Sequence, residues 1–192
     1  MGTYTTRPVT ETEYKTIIDT LRSGFLFNGI KYRPNKQAAF SLILETNTGM
    51  RISDILNMTQ NSIKKNGKVW QLDVTEIKTG KKRNYIVPDA LKTMIDHYCK
   101  ENNIPQDRKI FQVGERAIQK HLKACIDFLQ LENVSTHSFR KLGACNFYEK
   151  SGNDIMSASQ FLQHANTKTT MAYLNRSSEH INNVINQSIL LV

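Results

Sequence analysis

Residues 63–87 read IKKNGKVWQLDVTEIKTGKKRNYIV, and here the hydrophobic period changes from that of a helix to that of a strand. Asn66-Gly67 is a strong hairpin signal, because the favoured two-residue turn needs a positive φ at both positions. Residues 69–74 are rich in β-forming side chains, Thr79-Gly80 makes a second turn, and Tyr85-Ile86-Val87 completes the segment before Pro88 ends it. The stretch reads as a three-stranded antiparallel sheet.

Helical periods lie on both sides. Upstream, Thr10 and Glu13 have capping-box spacing, and Tyr14, Ile17, Ile18 and Leu21 recur at helical intervals until Ser23-Gly24. Pro34 can occupy a first helical turn, after which Ala38, Ala39, Leu42 and Ile43 form an apolar face until Asn47 and Gly49 interrupt it. A short third helix runs from 51 to about 58. Downstream the pattern predicts helices over about 89–102, 114–130, 136–150, 154–163 and 168–174, and a tail helix from 178 to 190, with Pro105 and Gly152 marking breaks. The expected fold class is therefore α+β, mainly α with a small antiparallel sheet. It is expected as a single domain over 1–192, with 1–9 a flexible N-terminal tail and 175–192 a C-terminal tail.

Composition narrows the chemistry. The chain has 192 residues, 39% of them apolar and 22% charged, which is the globular range. No apolar run approaches the ~18 residues that span a bilayer. Cys99, Cys125 and Cys145 lie far apart without a C-x-x-C, so neither a disulfide framework nor a zinc site is suggested, and a reducing cytosol is the simplest setting. MGTYTT fits the myristoylation pattern, but that pattern is very permissive. The 26 basic and 17 acidic residues give +9, which favours a polyanionic partner through counterion release.

Taken singly, the candidate reactive residues have ordinary explanations. THSFR sets His137 and Arg140 at i and i+3 on one helical face, with Thr136 as N-cap. In TGMRISDIL, Gly49 can take φ > 0 to turn the chain, Arg51 opens a helix, and Asp54 is placed to hold the Arg51 guanidinium. Lys78 lies beside the tight turn of a hairpin crowded with Lys81, Lys82 and Arg83. In QHANTKTTMAYL, His164 precedes Tyr173 by nine residues, which would turn them apart on one unbroken helix. Asn166 as a turn residue and Thr167 as an N-cap offer the break that lets them act together.

In order, then, the chain offers TG-x-R-x-x-D, a basic hairpin with K-T-G, H-x-x-R, L-x-H, and a tyrosine nine residues after that histidine. This set resembles the catalytic domain of the tyrosine recombinases, the phage integrase family, over about residues 34–175. The resemblance implies a site-specific recombinase that cuts and rejoins double-stranded DNA through a covalent 3′-phosphotyrosine intermediate, without metal, cofactor or ATP. It assigns catalysis to Arg51, Lys78, His137, Arg140, His164 and the nucleophile Tyr173, with Asp54 in support. Lys81, Lys82, Arg83 and Lys141 are expected to contact DNA. Two positions depart from the family pattern: Gln163 replaces a usual glycine before His164, and Asp54 stands where glutamate is common.

The resemblance also implies a homotetramer on DNA and mostly monomer without it. In the family the tail segment docks on a neighbouring protomer, and here Ile181, Val184, Ile185 and Ile189 give it an apolar stripe. Accessory DNA-bending proteins fit the same scheme, the setting is cytoplasmic and nucleoid-associated, and no membrane is involved. The N-terminal DNA-clamping domain common in the family is absent, so the chain reads as an excised catalytic domain or as a short member resembling the fimbrial phase-variation invertases. Two rivals are a type IB topoisomerase, which shares fold and chemistry, and a noncatalytic DNA-binding regulator. The regulator would lack a reacting residue, and none is lacking.

Overall fold

The computed structural model describes residues 6–164 and 166–174, without the side chains of Ala172 and Tyr173. The tail helix expected from 178 to 190 lies outside the described residues. The chain divides into two compact units, Met1–Gly143 and Ala144–Val192, where the sequence suggested one.

In the first unit, α1 (Glu11–Ser23) starts as its capping box predicts: the Thr10 hydroxyl accepts the Glu13 N–H at 3.1 Å, and the Glu13 carboxylate accepts the Thr10 N–H at 2.8 Å. The same carboxylate takes both terminal guanidinium nitrogens of Arg7 at 2.7 Å, and Val9 is buried, so residues 6–9 are anchored rather than the flexible tail expected. A hairpin that the pattern reading missed follows, β1 (Phe25–Phe27) with β2 (Ile30–Tyr32). Its signal was present in Asn28-Gly29, both of which take positive φ.

α2 (Lys36–Thr48) begins at Asn35, whose side chain accepts the Ala38 N–H at 2.9 Å. It is the central helix, with ten of its residues buried, because apolar or small side chains occupy almost every face. Gly49 ends it in the left-handed conformation, donating its N–H to Glu45 O at 3.0 Å. Arg51 then caps α3 (Ile52–Ile55), which is shorter than the 51–58 span expected.

A 3₁₀ turn at Gln60–Ser62 leads into the sheet. β3 (Ile63–Asn66) and β4 (Val69–Leu72) pair around a Gly67-Lys68 turn, one residue later than the Asn66-Gly67 turn expected, because Asn66 itself pairs with Val69 and only Gly67 takes positive φ. β7 (Ile86–Val87) joins the other edge of β4, so the three-stranded antiparallel sheet forms with order β3-β4-β7. A separate two-stranded ribbon, β5 (Val74–Thr75) with β6 (Lys82–Arg83), carries the Lys78 turn.

α4 (Asp89–Glu101), α5 (Glu115–Phe128) and α6 (Thr136–Lys150) fall within a residue or two of the predicted spans. Phe40 of α2 stacks on Tyr98 of α4 at 4.1 Å inside a core that also holds Phe111 and Phe139. In the first half of α6, a Cβ built on Gly143 would lie 2.1 Å from the Thr46 carbonyl oxygen. Only glycine allows this approach, and the obstacle is backbone that cannot swing aside. Gly143→Ala is expected to cost about 1–3 kcal/mol, lowering the thermal midpoint by roughly 3–10 °C, as read by calorimetry. A midpoint within a degree of the original would show that α2 and α6 are not held in this close contact.

The second unit contains α7 (Ile155–Leu162) and α8 (Thr167–Leu174), which pack on each other. Phe161 of α7 stacks on Phe147 at 4.7 Å. No helix among the described residues is long and apolar enough to cross a membrane.

Candidate active site

The αL turn at Gly49 aims the chain so that Arg51 leaves the end of α2 with its side chain about one-fifth exposed. The sequence suggested that Asp54 would hold this guanidinium. The structure corrects that: Asp54 is buried and its Oδ1 accepts the Ile77 N–H at 2.9 Å, tying α3 to the hairpin turn. Arg51 is held instead by Glu76, at 2.6 Å from Nη1 to Oε2. Helix spacing favoured the local carboxylate, whereas a hairpin folded beside α3 brings in one 25 residues away. Pattern reading had no signal for this pairing.

Glu76 is fully buried and takes further hydrogen bonds from the Thr79 hydroxyl at 2.7 Å and from Arg83 Nε at 2.7 Å. Arg83 was expected to face DNA, but its side chain is wholly buried between Glu76 and the carbonyls of Thr48 and Gly49. Lys141 was assigned to DNA in the same way and is also buried, with its ammonium on the Thr6 carbonyl. Both were misread because charge alone suggested exposure, whereas each finds enough acceptors to be buried. Lys81 and Lys82 are exposed as expected, Lys82 lying 3.4 Å from Asp73. Lys78 is exposed in the turn between β5 and β6.

His137 and Arg140 lie one turn apart at the start of α6. The helix begins at Thr136, one residue before the position a capping Thr136 would give, and the Ser138 hydroxyl accepts the Ser135 N–H at 3.0 Å. Arg140 is fully buried. Glu45 on α2 is buried too, and burial pushes its carboxyl well above the usual range, offset in part by the Arg140 charge and the Ile52 N–H. His137 feels the charges of the other candidates of this unit. Burial first, then the positive charges of Arg140, Lys141, Arg51 and Lys78, push its imidazole down to about 4. It is therefore neutral at pH 7 and able to accept a proton.

The lowered pKa also makes a stability prediction. An unfolded His137 takes up its proton near ~6.5, while the folded one does so only near about 4. Between those values the unfolded state binds more protons, so stability is lost as pH falls through this window. After allowing for partial exposure, the loss should be roughly 2–3 kcal/mol. Thermal unfolding of His137→Gln should lack this acid-side decline; a decline of equal size in the variant would assign it to other groups.

In the second unit, Asp154 caps α7, its Oδ1 accepting the Met156 N–H at 2.8 Å. The helix closes on Gln163 at φ 53°, with the His164 N–H donated to Ser159 O at 3.0 Å. Gln163 thus adopts the left-handed turn that glycine takes at lower cost. The turn survives the substitution. Asn166 rather than Thr167 caps α8, its Oδ1 accepting the Lys168 N–H at 2.8 Å. The break expected between His164 and Tyr173 is present. Thr170 of α8, fully buried and not anticipated from sequence, hydrogen bonds His164 Nδ1 at 2.9 Å and fixes the ring's rotation. Tyr173 lies in α8.

Among the described residues, no three His, Cys, Asp or Glu side chains converge as metal ligands would.

Comparison with known proteins gives one consistent answer. The sequence profile of the phage integrase family matches residues 7–180. A probable integrase/recombinase, YoeC of Bacillus subtilis (strain 168), is 29% identical over 149 residues, covering 73% of this chain and 78% of its own. Among solved structures, a XerH site-specific recombinase bound to a palindromic difH substrate superposes with a TM-score of 0.68 at 14% identity, over 93% of this chain and 52% of that one. The present chain thus spans about half the length of that recombinase. The catalytic domain of bacteriophage HP1 integrase superposes at 0.64 with 16% identity, over 95% of each chain.

Proposed function

The chain belongs to the phage integrase family of tyrosine-type site-specific recombinases, and from that premise we propose that it cuts and rejoins DNA strands through a covalent phosphotyrosine. The observation that supports this reading is that burial, and then the charges of Arg140, Arg51 and Lys78 among others, push the His137 imidazole down to about 4, leaving it neutral at pH 7.

A DNA phosphodiester bears one negative charge, and attack by a phenol oxygen builds more on its nonbridging oxygens. Arg51 and Arg140 suit that demand because a guanidinium stays protonated and presents a planar fork. His164, its ring held by Thr170, is the further hydrogen-bond donor of the scheme. Tyr173 is the nucleophile. Its hydroxyl proton passes to His137, its oxygen bonds to phosphorus, the P–O5′ bond breaks, and Lys78 protonates the departing 5′ oxygen. The products are a 3′-phosphotyrosyl linkage and a free 5′ hydroxyl. Because the linkage keeps the bond energy, another 5′ hydroxyl can reverse the step and join new partners without ATP. The charge stabilisation is supplied by side chains, so no metal step is required.

The enzyme works on DNA in the cytoplasm, at the nucleoid, as a homotetramer around two duplexes, with the segment after Tyr173 passed between protomers. Accessory bending proteins would serve to bring sites together. The test is to incubate the protein with nicked duplexes from the DNA flanking its gene, with EDTA present, then denature. A covalent adduct with a free 5′ hydroxyl, and recombinant joints between two duplexes, are expected. Plasmid relaxation with no recombinant joint would favour a topoisomerase, and binding without any adduct a regulator.

A further inference from the structure

The strand-transfer scheme gives no task to Glu76, a buried carboxylate bonded directly to Arg51. We propose that Glu76 is the positioning residue for Arg51, holding its guanidinium at the phosphate and setting its distance from the Lys78 turn. This rests on the reading above and adds a residue to it.

The geometry is that of a saturated carboxylate. Oε2 receives Arg51 Nη1 and the Thr79 hydroxyl, while Oε1 receives Nε and Nη2 of Arg83, so four donors fill about four lone-pair sites. A carboxylate so held cannot rotate. The guanidinium it grips through one nitrogen is fixed as well, and the Nε and Nη2 of Arg51 make no hydrogen bond to any described residue. That edge of the fork is the one a phosphate can use.

Arg83 supplies what Glu76 lacks. A lone glutamate would cancel the charge of Arg51, but with Arg83 on its other oxygen the group of three keeps a net positive charge. Arg83 also reaches back to the Thr48 and Gly49 carbonyls at 3.2 Å each, and the Tyr85 hydroxyl bonds the same Thr48 carbonyl. Those two residues form the turn that delivers Arg51. One buried pair therefore fixes both the backbone approach and the side-chain direction of Arg51. Glu76 stands two residues before Lys78, so the same anchor registers the hairpin turn, and the Asp54 bond to Ile77 N–H adds a second tie.

The experiment uses two variants of the full chain. Glu76→Gln leaves Arg83 buried without its counter-ion and could fail to fold for that reason alone. Glu76→Gln combined with Arg83→Met removes both buried charges and avoids that fault. Single-turnover cleavage is measured on a nicked duplex from the gene's flanking DNA, and again with a neutral methylphosphonate at the cleaved position. Folded variants should cleave the natural phosphate at least ~30-fold more slowly than the unaltered protein, with DNA affinity changed less than ~3-fold. On the methylphosphonate, which makes less demand on an oriented cation, the defect should shrink below ~3-fold. A double variant that cleaves at the unaltered rate, or a defect of equal size on both substrates, overturns the inference. No adduct from the unaltered protein would instead overturn the proposed function, and this inference with it.

Discussion

Tyr173→Phe is expected to abolish the covalent protein–DNA adduct while leaving DNA binding within about 2-fold of the unaltered protein. The substitution removes one oxygen, and that oxygen is the atom that would bond to phosphorus; no other group in the scheme can take its place. A phenol with an ordinary pKa near ~10 is a weak nucleophile at neutral pH, so its proton must leave as the bond forms. In the proposed scheme His137, neutral at pH 7, receives it. Phenylalanine keeps the ring, so α8 and the Thr170 contact to His164 should persist. The check is denaturing electrophoresis of the protein with a labelled nicked duplex, beside a binding titration. An undiminished adduct in the variant would place the nucleophile elsewhere.

The second large effect is expected at Arg51. Arg51→Ala should slow single-turnover cleavage by ~10²–10³-fold, about 3–4 kcal/mol, the usual cost of losing one donor aimed at developing charge. Stability should change little, because the buried Glu76 carboxylate keeps Arg83 and Thr79 when Arg51 is gone. Rate and stability should therefore separate. Arg51→Lys should recover little, since an ammonium cannot bond Glu76 and present a fork to phosphate at once. A cleavage rate within ~3-fold of the unaltered protein would remove Arg51 from the chemistry. Arg140→Ala would be a poorer test, because that side chain is fully buried and its loss would disturb folding as well.

The difference between these arginines shows where sequence reading succeeds and where it stops. Local signals were legible: the Thr10 and Glu13 box, the glycine turn at Gly49, the Asn66-Gly67 hairpin and the break at Asn166 each depend on a few adjacent residues. Such features are set by backbone preferences and nearby hydrogen bonds, which the chain carries with it. The β1–β2 hairpin is equally legible through Asn28-Gly29, a two-residue turn whose positions both take positive φ. The candidate reacting residues were also readable, because their order and spacing are properties of the chain.

Partners were not readable. Asp54 was expected to take Arg51 and instead takes the Ile77 N–H; Arg83 and Lys141 were expected at the DNA and are buried on carboxylate and carbonyl acceptors. Each error has the same origin. A charge brought to the core by folding binds whichever acceptor the fold places there, and the cost of leaving it unpaired makes that choice decisive. The sequence by itself determined the α+β class, most of the turns and the identities and spacing of the candidate reacting groups. Tertiary structure alone decided which carboxylate pairs with Arg51, which basic residues stay in solvent, and how far the His137 proton affinity falls. All three depend on distances between segments remote in the chain, and no local pattern encodes those distances.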